Sequence, residues 1–223
     1  MALILCLETA TKSCSVALAK DGDLLCFKHE VSEKYSHSEK LTPFIEFVLQ
    51  EQGIAPSDLD AIAVSKGPGS YTGLRIGVST AKGLCYALDK PLISISTLES
   101  MARAIQKQYP NKVYCPMIDA RRMEVYTAFF QAGIQLTDIE AHIVETDSFS
   151  KILAKEEVLF FGDGADKCQG LIKDTNATFV TNIYPSAKDM IAIAENAFVE
   201  QKFENIAYFE PYYLKDFIAG VKK

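Results

Sequence analysis

Residues 59–102 read LDAIAVSKGPGSYTGLRIGVSTAKGLCYALDKPLISISTLESMA. The apolar run 60–65 is bounded by turn-forming residues, which predicts a buried strand. The segment from Ser65 to Arg75 leaves that strand, turns on Gly67 and Gly69, and opens a helix over 72–88. Ser70 or Thr72 can cap that helix, and the glycines permit close backbone approach. Residues 92–95 form the next strand and 97–108 the next helix. Strands joined by helices in this way are parallel and covered on both faces.

Working outward, residues 3–7, 13–19 and 24–31 predict three strands. The turn Asp21-Gly22-Asp23 links the last two, so antiparallel neighbours are expected. Leu41, Phe44, Ile45, Val48, Leu49 and Gln52 then fall at helical spacing, and Gly53 stops the helix. The first half therefore reads β-β-β-α-β-α-β-α. The second half repeats that order. Residues 113–119 and 124–130 pair across Ala120-Arg121-Arg122, and 139–144 give a third strand. A short helix at 147–154, a strand at 158–161, a helix at 167–173, a strand at 178–180 and a helix at 187–201 follow. This α/β plan, two βββαβαβα lobes, resembles the actin-like ATPase superfamily (ASKHA, ribonuclease H-like). The lobes are expected at 1–108 and 109–223, the last segment packing back on the first lobe. Such a likeness of fold says little about function.

The net charge is −6, and no cluster of Lys and Arg stands out beyond the pairs Arg121–Arg122 and Lys222–Lys223. A chain that grips nucleic acid alone needs such a cluster to displace phosphate counterions. Six cysteines, none in a Cys-x-x-Cys pair, read as buried thiols of a reducing, cytoplasmic compartment. The opening MALILCLE is a buried strand ending in a carboxylate, not a signal peptide, and no membrane span is expected.

The loop containing Gly67, Gly69, Ser70 and Thr72 is a candidate anion cradle at a helix N-terminus, with a simple capped turn as the plainer reading. It is not a Walker A loop, because no Lys-Ser/Thr follows its last glycine. Gly73, Gly77, Ala81 and Cys85 repeat every four residues, so one side of this helix accepts a close neighbour, either internal or from a partner chain. In the first hairpin, Glu8-Thr9-Ala10-Thr11-Lys12, a Cβ at Ala10 hinders phosphate approach. The matching turn Asp119-Ala120-Arg121-Arg122 has no glycine, and Asp163 in Gly162-Asp163-Gly164 repels an anion. Tight ATP binding in the cleft is not expected. His29, His37 and His142 are scattered, which opposes a metal site or a metallopeptidase. No Ser sits in a nucleophile elbow, and no catalytic residue declares itself. Glu99 suits a helix N-terminus, and Tyr208, Tyr212 and Tyr213 suit a segment docked on this chain's own core.

The 59–102 stretch closely resembles the bacterial TsaB (YeaZ) family. So do His37-Ser38-Glu39, Ile118-Asp119-Ala120-Arg121-Arg122 with Glu124-Val125-Tyr126, and Pro211-Tyr212-Tyr213-Leu214-Lys215. Glu8, Tyr71 and Lys215 stand where that family usually has Asp, Phe and Arg. The catalytic paralogue TsaD carries a His-x-x-x-His metal pair; the matching positions here are Thr97 and Met101, whose hydroxyl and thioether are poor ligands for a hard metal. The resemblance implies a non-catalytic partner subunit for tRNA N6-threonylcarbamoyladenosine synthesis. Such a subunit pairs with TsaD and works with TsaE. It meets tRNA only through the complex, and ATP and metal sit on the partner subunits. It also implies that the helices around 41–49 and 74–88 form the TsaD contact, with Leu41, Ile45, Leu49, Leu74, Gly77, Val78 and Ala81 as candidates. A homodimer through the same helices is expected when TsaD is absent. The alternative is an autonomous ATP-dependent phosphotransferase of the sugar-kinase type.

Overall fold

The computed structural model describes residues 2–32 and 36–215; the Lys222–Lys223 pair lies outside them. Five strands form the first sheet: β1 Leu3–Glu8, β2 Ser13–Lys20, β3 Asp23–Val31, β4 Ala61–Gly67 and β5 Leu92–Ser96. Their spatial order is β3-β2-β1-β4-β5. β1 pairs antiparallel with β2, and β2 with β3, whereas β1–β4 and β4–β5 are parallel. The crossovers are α1 (His37–Glu51) and α2 (Tyr71–Leu88). Gly53, just past α1, takes φ +61°, the conformation that ends helices and that glycine adopts without steric cost. α3 (Thr97–Gln106) leaves β5.

The second half contains β6 Val113–Asp119, β7 Glu124–Thr127, β8 Phe130–Gln131, β9 Ile134–Gln135, β10 Glu140–Ile143, β11 Val158–Phe161 and β12 Ala177–Val180. Its main path, β10-β7-β6-β11-β12, repeats the first sheet's order and directions. The duplicated strand plan read from the sequence is therefore present.

Four expected elements differ. The strand expected over 124–130 is two. β7 pairs with β6 and β10, and then the chain leaves so that Phe130 can pair with Tyr114 and turn back through β9. The helix expected over 167–173 is a run of turns: Cys168 N–H bonds to Ala165 O, and Leu171 and Ile172 N–H to Cys168 O. Gly170 lies inside that run and weakens helix propagation. The helix expected over 187–201 is a 3₁₀ turn, Ala187–Met190, followed by α5, Ile191–Val199, while only α4, Ser150–Leu153, is helical within 147–154.

The two faces of the first sheet differ by size, and the alternation is written in the strands. Leu3, Leu5, Leu7, Val16, Leu18, Ile62 and Val64 face α1 and α2. Ile4, Cys6, Ala17, Ala19, Ala61 and Ala63 form a flatter face, covered by Ala187, Met190, Ile191 and Ala194 from the far end of the chain. Conversely, Leu98, Met101, Ala102 and Ile105 of α3 pack with Tyr114, Ile118, Leu159 and Phe161 of the second sheet. Each half thus lends a helix to the other's sheet.

Candidate functional site

The carboxyl ends of β1 and β4 meet the start of α2 at the boundary between the halves. Ser70 caps α2, its Oγ accepting from Gly73 N–H at 3.3 Å. Its own N–H donates to Ala10 O at 2.6 Å. A Cβ on Gly69 would lie 2.8 Å from Ala10 Cβ, and one on Gly73 would overlap the Thr9 carbonyl oxygen. Thr9 Oγ1 in turn donates to Gly73 O at 2.9 Å. The glycine loop is therefore pressed against the first hairpin. The candidate cradle formed by Gly67, Gly69, Ser70 and Thr72 is corrected accordingly. Gly67 (φ +105°) packs under Leu74 and Tyr212, Gly69 packs on Ala10, and the Ser70 donor is already occupied. Of the four, Thr72 stays exposed at the helix start.

The partner-interface candidates need a like correction. Leu41, Ile45, Leu49, Leu74, Val78 and Ala81 are all buried within this chain. Gly77 is buried too, and a Cβ there would overlap Thr9 Oγ1. The row Gly73, Gly77, Ala81, Cys85 faces inward, because these helices use their apolar stripes to cover their own sheet. The outward side of α2 carries Thr72, Arg75, Ser79, Gly83, Tyr86 and Ala87 instead. A Cβ on Gly83 would meet nothing within 4 Å, and Tyr86 is 85% exposed. Beside it, α1 leaves Phe47 exposed beneath Lys28 Nζ, 4.4 Å from the ring centroid. Periodicity separates the two sides of such a helix but does not say that a sheet already occupies the apolar one.

Glu8 is fully buried at the end of β1. Its Oε1 accepts from Ala10 N–H at 2.6 Å and Ser65 Oγ at 2.9 Å, while Oε2 meets no hydrogen-bond partner among the described residues. Desolvation lifts its pKa from an ordinary 4.5 to about 7, against those hydrogen bonds. The folded state then binds the proton more tightly than the unfolded chain, so stability falls as pH rises between these values. Glu8→Gln, which keeps an oxygen for both donors, is expected to raise stability at pH 8 by about 2 kcal/mol. The gain should vanish near pH 4. Urea melts of both proteins across pH 4–8 test this; equal pH slopes would refute it.

Asp163 is held too. Its carboxylate accepts from Asp119 N–H at 3.1 Å, and burial lifts its pKa to about 6. His37 is buried with Nε2 3.2 Å from Ser13 O, and desolvation lowers its pKa. His142 lies near Glu140 and Ser148 at 3.0 and 3.1 Å. Thr97 and Met101 are buried, and the Met101 methyl packs beside Gly162. Among the described residues no three His, Cys, Asp or Glu side chains converge as a metal-binding group. No described helix is long and apolar enough to cross a membrane.

Between the start of α2 and the β6–β7 turn opens a cavity of about 590 Å³, lined also by residues 212–215. Sequence reading treated these three segments separately. They meet because the final segment runs back across the molecule. Glu204 N–H bonds to Leu92 O at 2.8 Å, Lys82 Nζ to Phe209 O at 3.0 Å, and Tyr212 N–H to Lys66 O at 2.7 Å. Tyr213 then packs against Tyr71, ring centroids 4.9 Å apart and planes tilted by 38°, and Lys215 pairs with Glu124.

Comparison with known proteins places this arrangement. The tRNA threonylcarbamoyladenosine biosynthesis protein TsaB of Escherichia coli (strain K12) is 31% identical over 98% of this chain and 97% of its own length. The chain belongs to the TsaB family. A second TsaB, from Bacillus subtilis (strain 168), is 32% identical over 78% of this chain and 77% of its own length. The family described as TsaD: tRNA N6-adenosine threonylcarbamoyltransferase matches residues 30–223. Among solved structures, YeaZ from Pseudomonas aeruginosa superimposes with a TM-score of 0.80 at 28% identity, covering 96% of this chain and all of that one. The TsaB fold seen here is the duplicated actin-like fold expected from the sequence.

Proposed function

We propose that this chain acts in tRNA threonylcarbamoyladenosine biosynthesis as a non-catalytic partner subunit that binds and supports TsaD. The observation that carries this reading is the outward side of α2. It is a long, small-residue surface (Ser79, Gly83, Ala87) with one projecting aromatic ring, Tyr86, and the described residues leave it uncovered. Small residues let a second helix approach closely, and tyrosine is a frequent anchor at interfaces. A stable pairing buries about 1,600 Å² in total. TsaE joins the assembly, tRNA is reached through it, ATP and metal are held by the partner subunits, and the complex works in the cytoplasm. Without TsaD, a second copy of this chain covers the same face.

Support for a non-catalytic role comes from the glycine loop, whose Ser70 donor and glycine faces are occupied by the first hairpin. Light scattering of the purified chain mixed with TsaD tests the pairing, with a one-to-one complex expected. No complex under any nucleotide condition would refute it. Micromolar binding of magnesium–ATP with turnover by the isolated chain would favour the phosphotransferase reading instead.

A further inference from the structure

We infer that Ser148, His142 and Glu140 form a nucleophile–base–carboxylate relay that hydrolyses small uncharged carboxylic esters, an activity separate from the partner role and independent of TsaD.

Glu140 and His142 stand two residues apart on β10, so their side chains share one face of the strand. Glu140 Oε1 lies 3.0 Å from His142 Nδ1, and Ser148 Oγ lies 3.1 Å from His142 Nε2. A carboxylate at Nδ1 holds the neutral ring's proton there and leaves Nε2 as an acceptor. The Glu145 N–H donates to Ser148 Oγ at 2.8 Å, so the hydroxyl's own proton is free to point at Nε2. Carboxylate, ring and hydroxyl are joined in the order, and through the atoms, that nucleophilic acyl transfer uses. Sequence reading passed over them because such a relay is defined by geometry and roles, not by a Gly-x-Ser-x-Gly spacing.

An exposed His–Glu pair alone contributes little to stability. This one is held in place: the His142 ring packs on Phe149, centroids 4.5 Å apart, and Phe149 is anchored on Phe129 and Phe160. Phe149 directly follows Ser148 and takes φ +65°, ψ +7°, a left-handed conformation that is costly for a bulky residue. Its N–H meets no hydrogen-bond partner among the described residues. The backbone N–H of the residue after a nucleophile is a recurrent donor to the oxyanion of acyl transfer. His142 and Ser148 are both partly exposed, so a substrate can reach them. Glu145 and Asp147, exposed beside Ser148, disfavour an anionic acyl group.

Ser148 Oγ bonds to the ester carbonyl carbon while its proton passes to His142 Nε2. The bond from that carbon to the alkoxy oxygen breaks, and the departing alcohol takes the proton from Nε2. Water then attacks the acyl-serine and gives a proton to Nε2; Ser148 regains that proton as the carboxylic acid leaves. Glu140 touches no reacting atom, so it is a positioning residue that fixes the ring tautomer.

The experiment treats the purified full chain with diisopropyl fluorophosphate, which phosphorylates an activated serine with loss of fluoride, and follows p-nitrophenyl acetate hydrolysis in parallel. Mass spectrometry should find a single adduct, on Ser148. Ser148→Ala should abolish both readouts, and His142→Gln should slow both by at least about 100-fold, each variant keeping the parent's Tm within a few degrees. p-Nitrophenyl hemisuccinate, anionic on its acyl side, should turn over at least about tenfold more slowly than the acetate. Glu140→Gln should slow acylation and also spread the His142 ring proton over both nitrogens, read by heteronuclear NMR, which loss of a merely structural contact would not do. No adduct, or an adduct on another residue, overturns the site; should Ser148→Ala unfold, the adduct's position in the parent decides this alone. Rates in His142→Gln equal to the parent's overturn the relay. An unchanged tautomer in Glu140→Gln overturns the role of that carboxylate, and equal turnover of the hemisuccinate overturns the uncharged class. TsaD enters none of these readouts, so a failure of the partner reading stays distinguishable from a failure of this one.

Discussion

Gly73→Ala is expected to leave little folded protein, a loss of about 3–5 kcal/mol from one methyl group. The added Cβ would overlap the carbonyl oxygen of Thr9. Both sides of that contact are backbone, so no side chain can rotate away. Neither can drift apart freely, because Thr9 Oγ1 bonds to Gly73 O and Ser70 N–H to Ala10 O across the same seam. Relief requires moving α2 off the first hairpin, which opens the core beneath Leu74, Val78 and Ala81. Ordinary domains have only about 5–15 kcal/mol in reserve. Gly83→Ala is the control: it lies on the same helix but faces open space, and should stabilise by about 0.5–1 kcal/mol. Circular-dichroism melts of the two variants should move in opposite directions. Gly77→Leu should behave like Gly73→Ala, losing fold and pairing together, since its Cβ would overlap Thr9 Oγ1. A Gly73→Ala protein with the parent's Tm would show that this seam is not as tight as described.

The second large effect concerns pairing. Ser79→Arg with Gly83→Arg is expected to weaken the TsaD complex by at least about 100-fold, near 3 kcal/mol, while leaving the Tm of the isolated chain within a few degrees. Both positions are exposed and make no contribution to the core clusters. Two long cations on a small-residue surface hold a partner helix away and place buried charge in any contact that forms. Isothermal titration of TsaD with parent and variant reads the difference. Unchanged affinity would move the proposed contact off α2, whereas parallel losses of affinity and Tm would mean that the substitutions act on folding.

Much of the fold was legible because it is encoded locally. The strand alternation of Leu3, Leu5 and Leu7 against Ile4 and Cys6, the helical spacing from Leu41 to Leu49, and the stop at Gly53 each depend on a few neighbouring residues. One reading failed where long-range pairing overrides local preference. Phe130 abandons the β7 ladder to pair with Tyr114; the helix expected over 167–173 failed for a local reason, since Gly170 interrupts the run and leaves it in turns. The cleft cavity could not be read at all, since its three lining segments lie far apart in the chain and meet only through the returning C-terminal stretch.

The sequence by itself determined that this chain has two matching α/β halves, that a glycine-rich turn opens its second helix, and that it resembles the TsaB family. Only the tertiary structure decided which way the second helix faces. Spacing marks Gly73, Gly77 and Ala81 as one row, but Thr9 and the first sheet, distant in sequence, claim that row and turn Ser79, Gly83 and Tyr86 outward. The physical reason is that periodicity is a property of one helix, whereas burial depends on whatever else the chain brings against it.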